Sequence, residues 1–208
     1  SYMSLVPVIQ PPIMRLLTSK KERLIDMPQA KPVSQLTVIL FPLISTFVVA
    51  LAIPASTPLI GMLMFGNLLR ECGVTERLKK TVSSSLIDTV TIFLGLAVGS
   101  TMDAAHFIDI KTLSILALGA VAFSISTMGG VLLAKFLNIF LPESKRMNPC
   151  IGAAGVSAVP MAARVVQQFV SEESDGLVNP LMPAMGPNVA GVIGSAVAAG
   201  LFLGFLGG

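Results

Sequence analysis

The chain is poor in charge, and that scarcity sets its class. Only 12% of its 208 residues are Asp, Glu, Lys or Arg, where a soluble domain carries about 25%. It has no Trp and one Tyr, so no belt of interfacial aromatics marks where a membrane would begin and end. Its single His has no Cys or His partner at ligand spacing, which excludes a zinc-type centre. The two cysteines, Cys72 and Cys150, lie beside basic loops that the positive-inside rule places in the cytoplasm, which argues against a structural disulfide. They read instead as small buried hydrophobes. The sequence also lacks a Walker loop, a CxxC pair, a dinucleotide fingerprint and a nucleophile elbow, so ATP hydrolysis and conventional soluble catalysis are not expected of it. The net charge of +3 sits in loops and points to no nucleic acid.

What is present is hydrocarbon. The chain is 53% hydrophobic with a mean hydropathy of +0.83. Residues 36–69 and 112–134 contain no Lys, Arg, Asp or Glu, and uncharged apolar runs of about 18 residues or more are transmembrane candidates. The runs are continuous, without the alternation of barrel strands. Gly 18 and Pro 14 are tolerable in membrane helices, where neighbours satisfy the freed backbone groups. The expected fold is all-α: a polytopic transmembrane bundle with helices interrupted at Pro, Gly and Asn, in the manner of half an inverted-repeat transporter. Expected spans are roughly 1–17, 36–53, 59–69 (short or re-entrant), 85–102, 112–140, 148–170 (broken) and 179–206 (broken), giving five or six crossings. An amphipathic surface helix is expected at 75–82. Arg15, Lys20, Lys21, Arg23 and Lys31 form a basic loop, and Lys145 with Arg146 another; both are cytoplasmic by the positive-inside rule. The opening Ser1–Pro7 has no signal-peptide pattern and reads like the inside of a membrane helix. The chain is therefore expected to be a C-terminal piece of a longer protein.

Several residues could carry chemistry. Arg164 lies between apolar residues, with no acidic residue close by in sequence. An Arg at the centre of a membrane helix costs about 3 kcal/mol, so such residues face cavities and work; its planar fork suits a carboxylate. The other reading is an Arg near a helix end that snorkels to the interface. Asn148, Ser157, Asn179 and Asn188 place oxygens beside helix breaks, as a hard cation prefers, and unwound backbone adds carbonyls. Taken singly, each is also an ordinary N-cap. Asn148-Pro149 and Asn179-Pro180 open successive segments with the same dipeptide, a weak internal echo of paired broken helices. Asp88 is either a membrane carboxylate or an acidic residue complementing a helix N-terminus. Asp103, His106 and Asp109 read as a solvated loop. Gly152, Gly155, Gly191 and Gly194 allow close helix approach.

The stretch from Asn148-Pro149-Cys150 through Gly152, Ser157-Ala158-Val159-Pro160 and Arg164-Val165-Val166-Gln167 resembles the motif of the β subunits of sodium-pumping biotin-dependent decarboxylases. These serve oxaloacetate, glutaconyl-CoA, methylmalonyl-CoA and malonate decarboxylases. Residues 1–14 and 179–200 agree, so the likeness covers essentially the whole chain. It implies decarboxylation of carboxybiotin, delivered by a biotin carrier or carboxyltransferase partner, coupled to Na⁺ export across the cytoplasmic (inner) membrane. Further implied partners are a small membrane subunit, the N-terminal half of the same subunit and other copies of it. By position in the motif, Asn148, Gly152, Ser157 and Asn188 match cation-site residues, with Na⁺ itself at Ser157, Asn148 and Asn188. Arg164 and Tyr2 match catalytic ones. The family's essential aspartate, in an Asp-Gly-Pro-Thr motif, is absent here, so this chain is expected to hold part of a site. If 148–170 were a simple span leaving the cytoplasm at Met147, Arg164 would fall toward the outer face; a re-entrant segment would remove that tension. The rival reading is a Na⁺-coupled secondary transporter or exchanger without chemistry.

Overall fold

The computed structural model describes residues 2–28, 33–100 and 110–206, and every regular element among them is helical. The chain divides into two compact units, Ser1–Lys31 with Ile115–Ser195, and Pro32–Ser114 with Ala196–Gly208. Four helices are long and apolar enough to cross a membrane: Gln35–Ala52, Glu76–Ser100, Thr112–Phe140 and Leu181–Leu206. These make the chain a multi-pass membrane protein, with four such helices among the described residues where the sequence suggests five or six crossings.

In the second unit, α3 (Gln35–Ala52) starts on Ser34, whose hydroxyl accepts the Thr37 N–H. A 3-10 turn at Pro54–Ser56 leads into α4 (Thr57–Glu71). A Cβ on Gly61 would lie 4.0 Å from Thr46 Cγ2, and one on Gly73 4.0 Å from Gln35 Nε2. Position 46 thus pairs with 61 and 35 with 73, so the two helices form an antiparallel hairpin rather than one interrupted helix. Pro54 ends α3 by removing a donor. Gly200 packs on Ser56 with no room for a side chain.

Next comes α5, Glu76–Ser100, with a π turn at Val82–Leu86. The surface helix expected at 75–82 and the span expected at 85–102 are one element, because the π turn absorbs the change without breaking the ladder. Asp88 consequently lies within the body of this helix, exposed, and the helix-terminus reading of it does not hold. Asp103, His106 and Asp109 lie outside the described residues.

In the first unit, α1 (Tyr2–Leu17) runs through Pro7, Pro11 and Pro12. The short α2 (Lys20–Arg23) comes after it, begun by a capping box between Ser19 and Glu22. The long α6 (Ile110–Phe140) carries Gly130. Then the chain unwinds as expected: Pro149–Ala154 is a 3-10 segment, 155–160 is irregular, and α7 is Met161–Glu173. This stretch is no simple span, since α7 has 13 residues against about 20 for a crossing. Its Ala162, Ala163, Val166, Phe169 and Val170 are buried while Arg164 and Gln168 are exposed, the helical stripe of a half-covered element.

The last helix corrects the sequence reading. The break expected at 179–206 is absent: α8 is continuous from Leu181 to Leu206, through Pro187. Pro187 has no N–H to give to the Pro183 carbonyl, yet one lost bond is tolerated in a long apolar helix whose neighbours compensate.

Candidate functional site

The stretch 154–158, where the 3-10 segment gives way to irregular backbone, is the centre of the first unit's polar chemistry. An unwound backbone exposes carbonyls that a helix would have consumed. One side chain of α8 gathers them: Asn188 Nδ2 donates to Ala154 O at 2.9 Å and Val156 O at 2.9 Å, with Ala158 O at 3.4 Å. Asn188 is fully buried, and its Oδ1 has no hydrogen-bond partner. Turning the amide over would set oxygen against oxygen, so the free atom is the acceptor.

Ser157 sits beside it. Its hydroxyl donates to Ser195 Oγ at 2.7 Å and lies 3.3 Å from Gly191 O, and Ser195 donates on to Val192 O at 3.0 Å. Asn188, Gly191 and Ser195 are spaced i, i+3, i+7, which puts them on one face of α8. That face meets the loop closely: a Cβ on Gly191 would stand 2.6 Å from Gly155 O. On the other side, Gly152 and Gly130 of α6 touch backbone to backbone, and a Cβ on either would overlap the other's carbonyl. Gly194 meets nothing within 4 Å, so close approach is not its role. A cavity of about 630 Å³ opens beside the loop, lined among others by Val6, Phe123, Ser126, Ser157, Gly191 and Ser195.

The remaining residues singled out in the sequence lie elsewhere. Asn148 is fully buried, but its polar atoms are engaged. Its Oδ1 accepts the Cys150 N–H at 3.1 Å and its Nδ2 donates to Arg23 O at 2.8 Å. It caps the 3-10 segment and ties it to α2. Asn179 Oδ1 accepts the Leu181 N–H at 3.2 Å and begins α8 in the same way. Arg164 is exposed and, among the described residues, stands in no ion pair. The structure does not bring Arg164 into the cavity that Ser157 lines. Tyr2 lies in the first turn of α1, its side chain outside the described residues.

A second set of charges holds the far end of α7. Glu173, at the end of α7, accepts from Arg15 at 2.7 Å and from the buried Arg23 at 2.8 Å. Both guanidinium groups lie over the Phe169 ring, at 5.8 and 5.5 Å. The hydrogen bonds from Arg15 and Arg23 hold the Glu173 carboxyl below its ordinary 4.5. Partial burial pushes Glu22 up, but its Ser19 hydrogen bonds and Lys135, 3.2 Å away, outweigh that and lower it. Sequence reasoning missed Gln10, Ser195, Gly130 and Arg23. Ser195 was findable as the residue seven after Asn188.

Unwound backbone beside a partnerless buried oxygen, among helices long and apolar enough to cross a membrane, defines a multi-pass membrane protein with an interrupted segment. The family model for the "Na+-transporting oxaloacetate decarboxylase beta subunit" matches residues 1–206, and the chain belongs to that family. It is 56% identical over 207 residues to methylmalonyl-CoA decarboxylase subunit beta of Propionigenium modestum, covering 100% of this chain and 52% of that protein. It is 57% identical over 203 residues to the oxaloacetate decarboxylase beta chain of Klebsiella pneumoniae, covering 98% and 46%. With the methylmalonyl-CoA decarboxylase subunit beta of Veillonella parvula it shares 53% over 206 residues, covering 99% and 54%. The chain thus spans about half the length of the curated relatives it matches. Assignment to their C-terminal half is not borne out, because these matches give the share covered and not the half.

Proposed function

We propose that this chain carries part of the Na⁺ site, and of the carboxybiotin-decarboxylating site, of a membrane decarboxylase subunit that pumps Na⁺ across the cytoplasmic membrane. The observation that carries the reading is the orphaned Oδ1 of Asn188, buried against a loop whose carbonyls its own amide pins. A buried acceptor without a partner is costly, and an oxygen-seeking cation removes that cost. Ser157 adds a hydroxyl on the same loop, and Gly152 sets the loop's height on α6. Asn148 serves that site by anchoring the segment. An aspartate from residues beyond this chain completes the charge.

Arg164, on the uncovered face of α7, is free to take the carboxylate of carboxybiotin brought by a carrier subunit. In the reaction the N–C bond of carboxybiotin breaks, CO₂ leaves and the ureido nitrogen takes a proton, with Tyr2 in its relay. Loss of the carboxylate removes a negative charge, so Na⁺ is bound differently before and after. Only such a difference shifts a conformational equilibrium. The carrier or carboxyltransferase subunit, a small membrane subunit, the rest of this subunit and further copies of it are the partners this reading needs.

The test is Na⁺-dependent CO₂ release from carboxybiotin by the full-length subunit in its complex. Asn188→Ala and Ser157→Ala should each raise half-saturating Na⁺ at least about tenfold, the equivalent of about 1.4 kcal/mol of ligand free energy. Release that is indifferent to Na⁺ would sink the reading. Na⁺ flux without any CO₂ release would replace it by ion-coupled transport.

A further inference from the structure

The first unit contains a second partnerless oxygen, on a residue to which the loop's chemistry gives no role. Gln10 is fully buried in α1. Its Nε2 donates to Ala153 O at 2.7 Å, and its Oε1 has no partner. Turning this amide over would face Oε1 with the Ala153 carbonyl, two acceptors at 2.7 Å, so the oxygen is the free atom here too.

The setting makes Gln10 anomalous as packing. It stands at the centre of an i, i+4, i+8 stripe, Val6–Gln10–Met14, in which all three are fully buried. Val6 belongs to the same buried apolar cluster as Val156 and Ala158, and Met14 to that of Cys150, Ile151 and Ala153. A leucine or methionine would fill such a place without stranding a polar group, so apolar packing does not explain an amide there. Both partnerless oxygens belong to amides whose NH₂ groups grip neighbouring carbonyls: Ala153 O for Gln10, Ala154 O for Asn188. The two come from different helices, α1 and α8, onto one unwound segment. An amide pinned by its nitrogen and empty at its oxygen is an oriented ligand with its partner missing.

We propose that Gln10 is a ligand for the transported Na⁺, its side-chain oxygen facing the ion from α1 as that of Asn188 does from α8. This rests on the Na⁺ reading of the 154–158 loop. It adds a second neutral amide oxygen to the Asn188 oxygen, the Ser157 hydroxyl and the backbone of that station, oxygen ligands that suit a small dehydrated monovalent cation.

The measurement is the Na⁺-induced rise in melting temperature of the full-length subunit in detergent, read beside half-saturating Na⁺ for CO₂ release by the complex. A ligand that binds only the folded state raises the midpoint in proportion to the logarithm of its concentration over Kd. Gln10→Met should raise half-saturating Na⁺ about tenfold or more and shrink the Na⁺-induced rise. Gln10→Glu should bind Na⁺ most like the wild type while its new carboxyl is protonated and can donate to the Ala153 carbonyl as the amide does, and with a changed half-saturating Na⁺ once the proton leaves; it serves the same test where the methionine variant does not assemble. A Gln10→Met protein with a lower Na⁺-free midpoint but an unchanged Na⁺ response would overturn the proposal and leave Gln10 as packing. A Gln10→Glu protein with a pH-independent Na⁺ response would overturn it too. If Asn188→Ala and Ser157→Ala lose Na⁺ dependence while both Gln10 variants keep it, the loop site stands and Gln10 falls out of it. If all four keep wild-type Na⁺ dependence, the loop reading itself fails.

Discussion

Two segments of this chain open on the same dipeptide and fold differently. Asn148-Pro149 leads into 3-10 and irregular backbone, while Asn179-Pro180 leads into the unbroken α8. In both, the asparagine oxygen accepts the N–H two residues on, so the caps do not explain the divergence. The residues beyond the two prolines do. After Pro149 come Gly152 and Gly155, each costing a helix about 1 kcal/mol relative to Ala, and the Gly152 backbone is engaged against Gly130. After Pro180 come Leu181 and Met182, good helix formers, and although Pro183, Gly186 and Pro187 follow, they open a 26-residue apolar helix that a membrane rewards only when helical. The unwound segment supplies carbonyls; the intact one supplies a rigid row of side chains to receive them.

The contrast can be broken most severely at Gly152. Gly152→Val places a side chain inside the Gly130 carbonyl and should cost about 3 kcal/mol or more by overpacking, seen as failed assembly or a large drop in melting temperature. Asn148→Ala should come next. It removes the cap and the tether to Arg23, a loss of about 1–2 kcal/mol in thermal or chemical unfolding. Its half-saturating Na⁺ should move less than that of Asn188→Ala, which separates anchoring from ligation.

The smallest effect is electrostatic and touches only the unwound side. Glu173 clamps the end of α7 to Arg15 and Arg23. Its carboxyl is held below 4.5 in the folded state, so its contribution is present above pH 4.5 and is lost as pH falls below that, through the lowered value. Glu173→Gln should lower stability at neutral pH, by less than Gly152→Val does, and so flatten the acid limb measured by pH-dependent melting.

The long apolar helices were readable in the sequence because bilayer thickness imposes a length on apolar runs, and α3 and α6 begin and end within a residue or two of the apolar runs at 36–53 and 112–140. The unwinding at 148–160 was readable from its Gly and Pro spacing. Continuity through Pro187 was not, since a proline in a string looks the same whether or not neighbours compensate for the missing donor. Nor was α5 as one element, because its charged start with Lys79 and Lys80 reads as a separate surface helix although the helix passes through it to Ser100. Of the site, Asn188 and Ser157 announced themselves as polar residues in apolar surroundings. Their meeting did not, because the carbonyls Asn188 grips are 30 to 34 residues away. Gln10, 143 residues from its partner Ala153, looked like one more polar residue near a run of prolines.

The paired glycines have a further, dimensional consequence. Where Gly152 meets Gly130 and Gly155 meets Gly191, separation is set by peptide atoms alone. Side chains relax by changing rotamer; peptide planes have no such freedom. An oxygen-bearing loop held on both sides in this way cannot widen to suit a bigger guest. Under the Na⁺ reading proposed above, a larger monovalent ion such as K⁺ would meet a gauge of fixed aperture, and discrimination by ionic radius would come from residues that have no side chains.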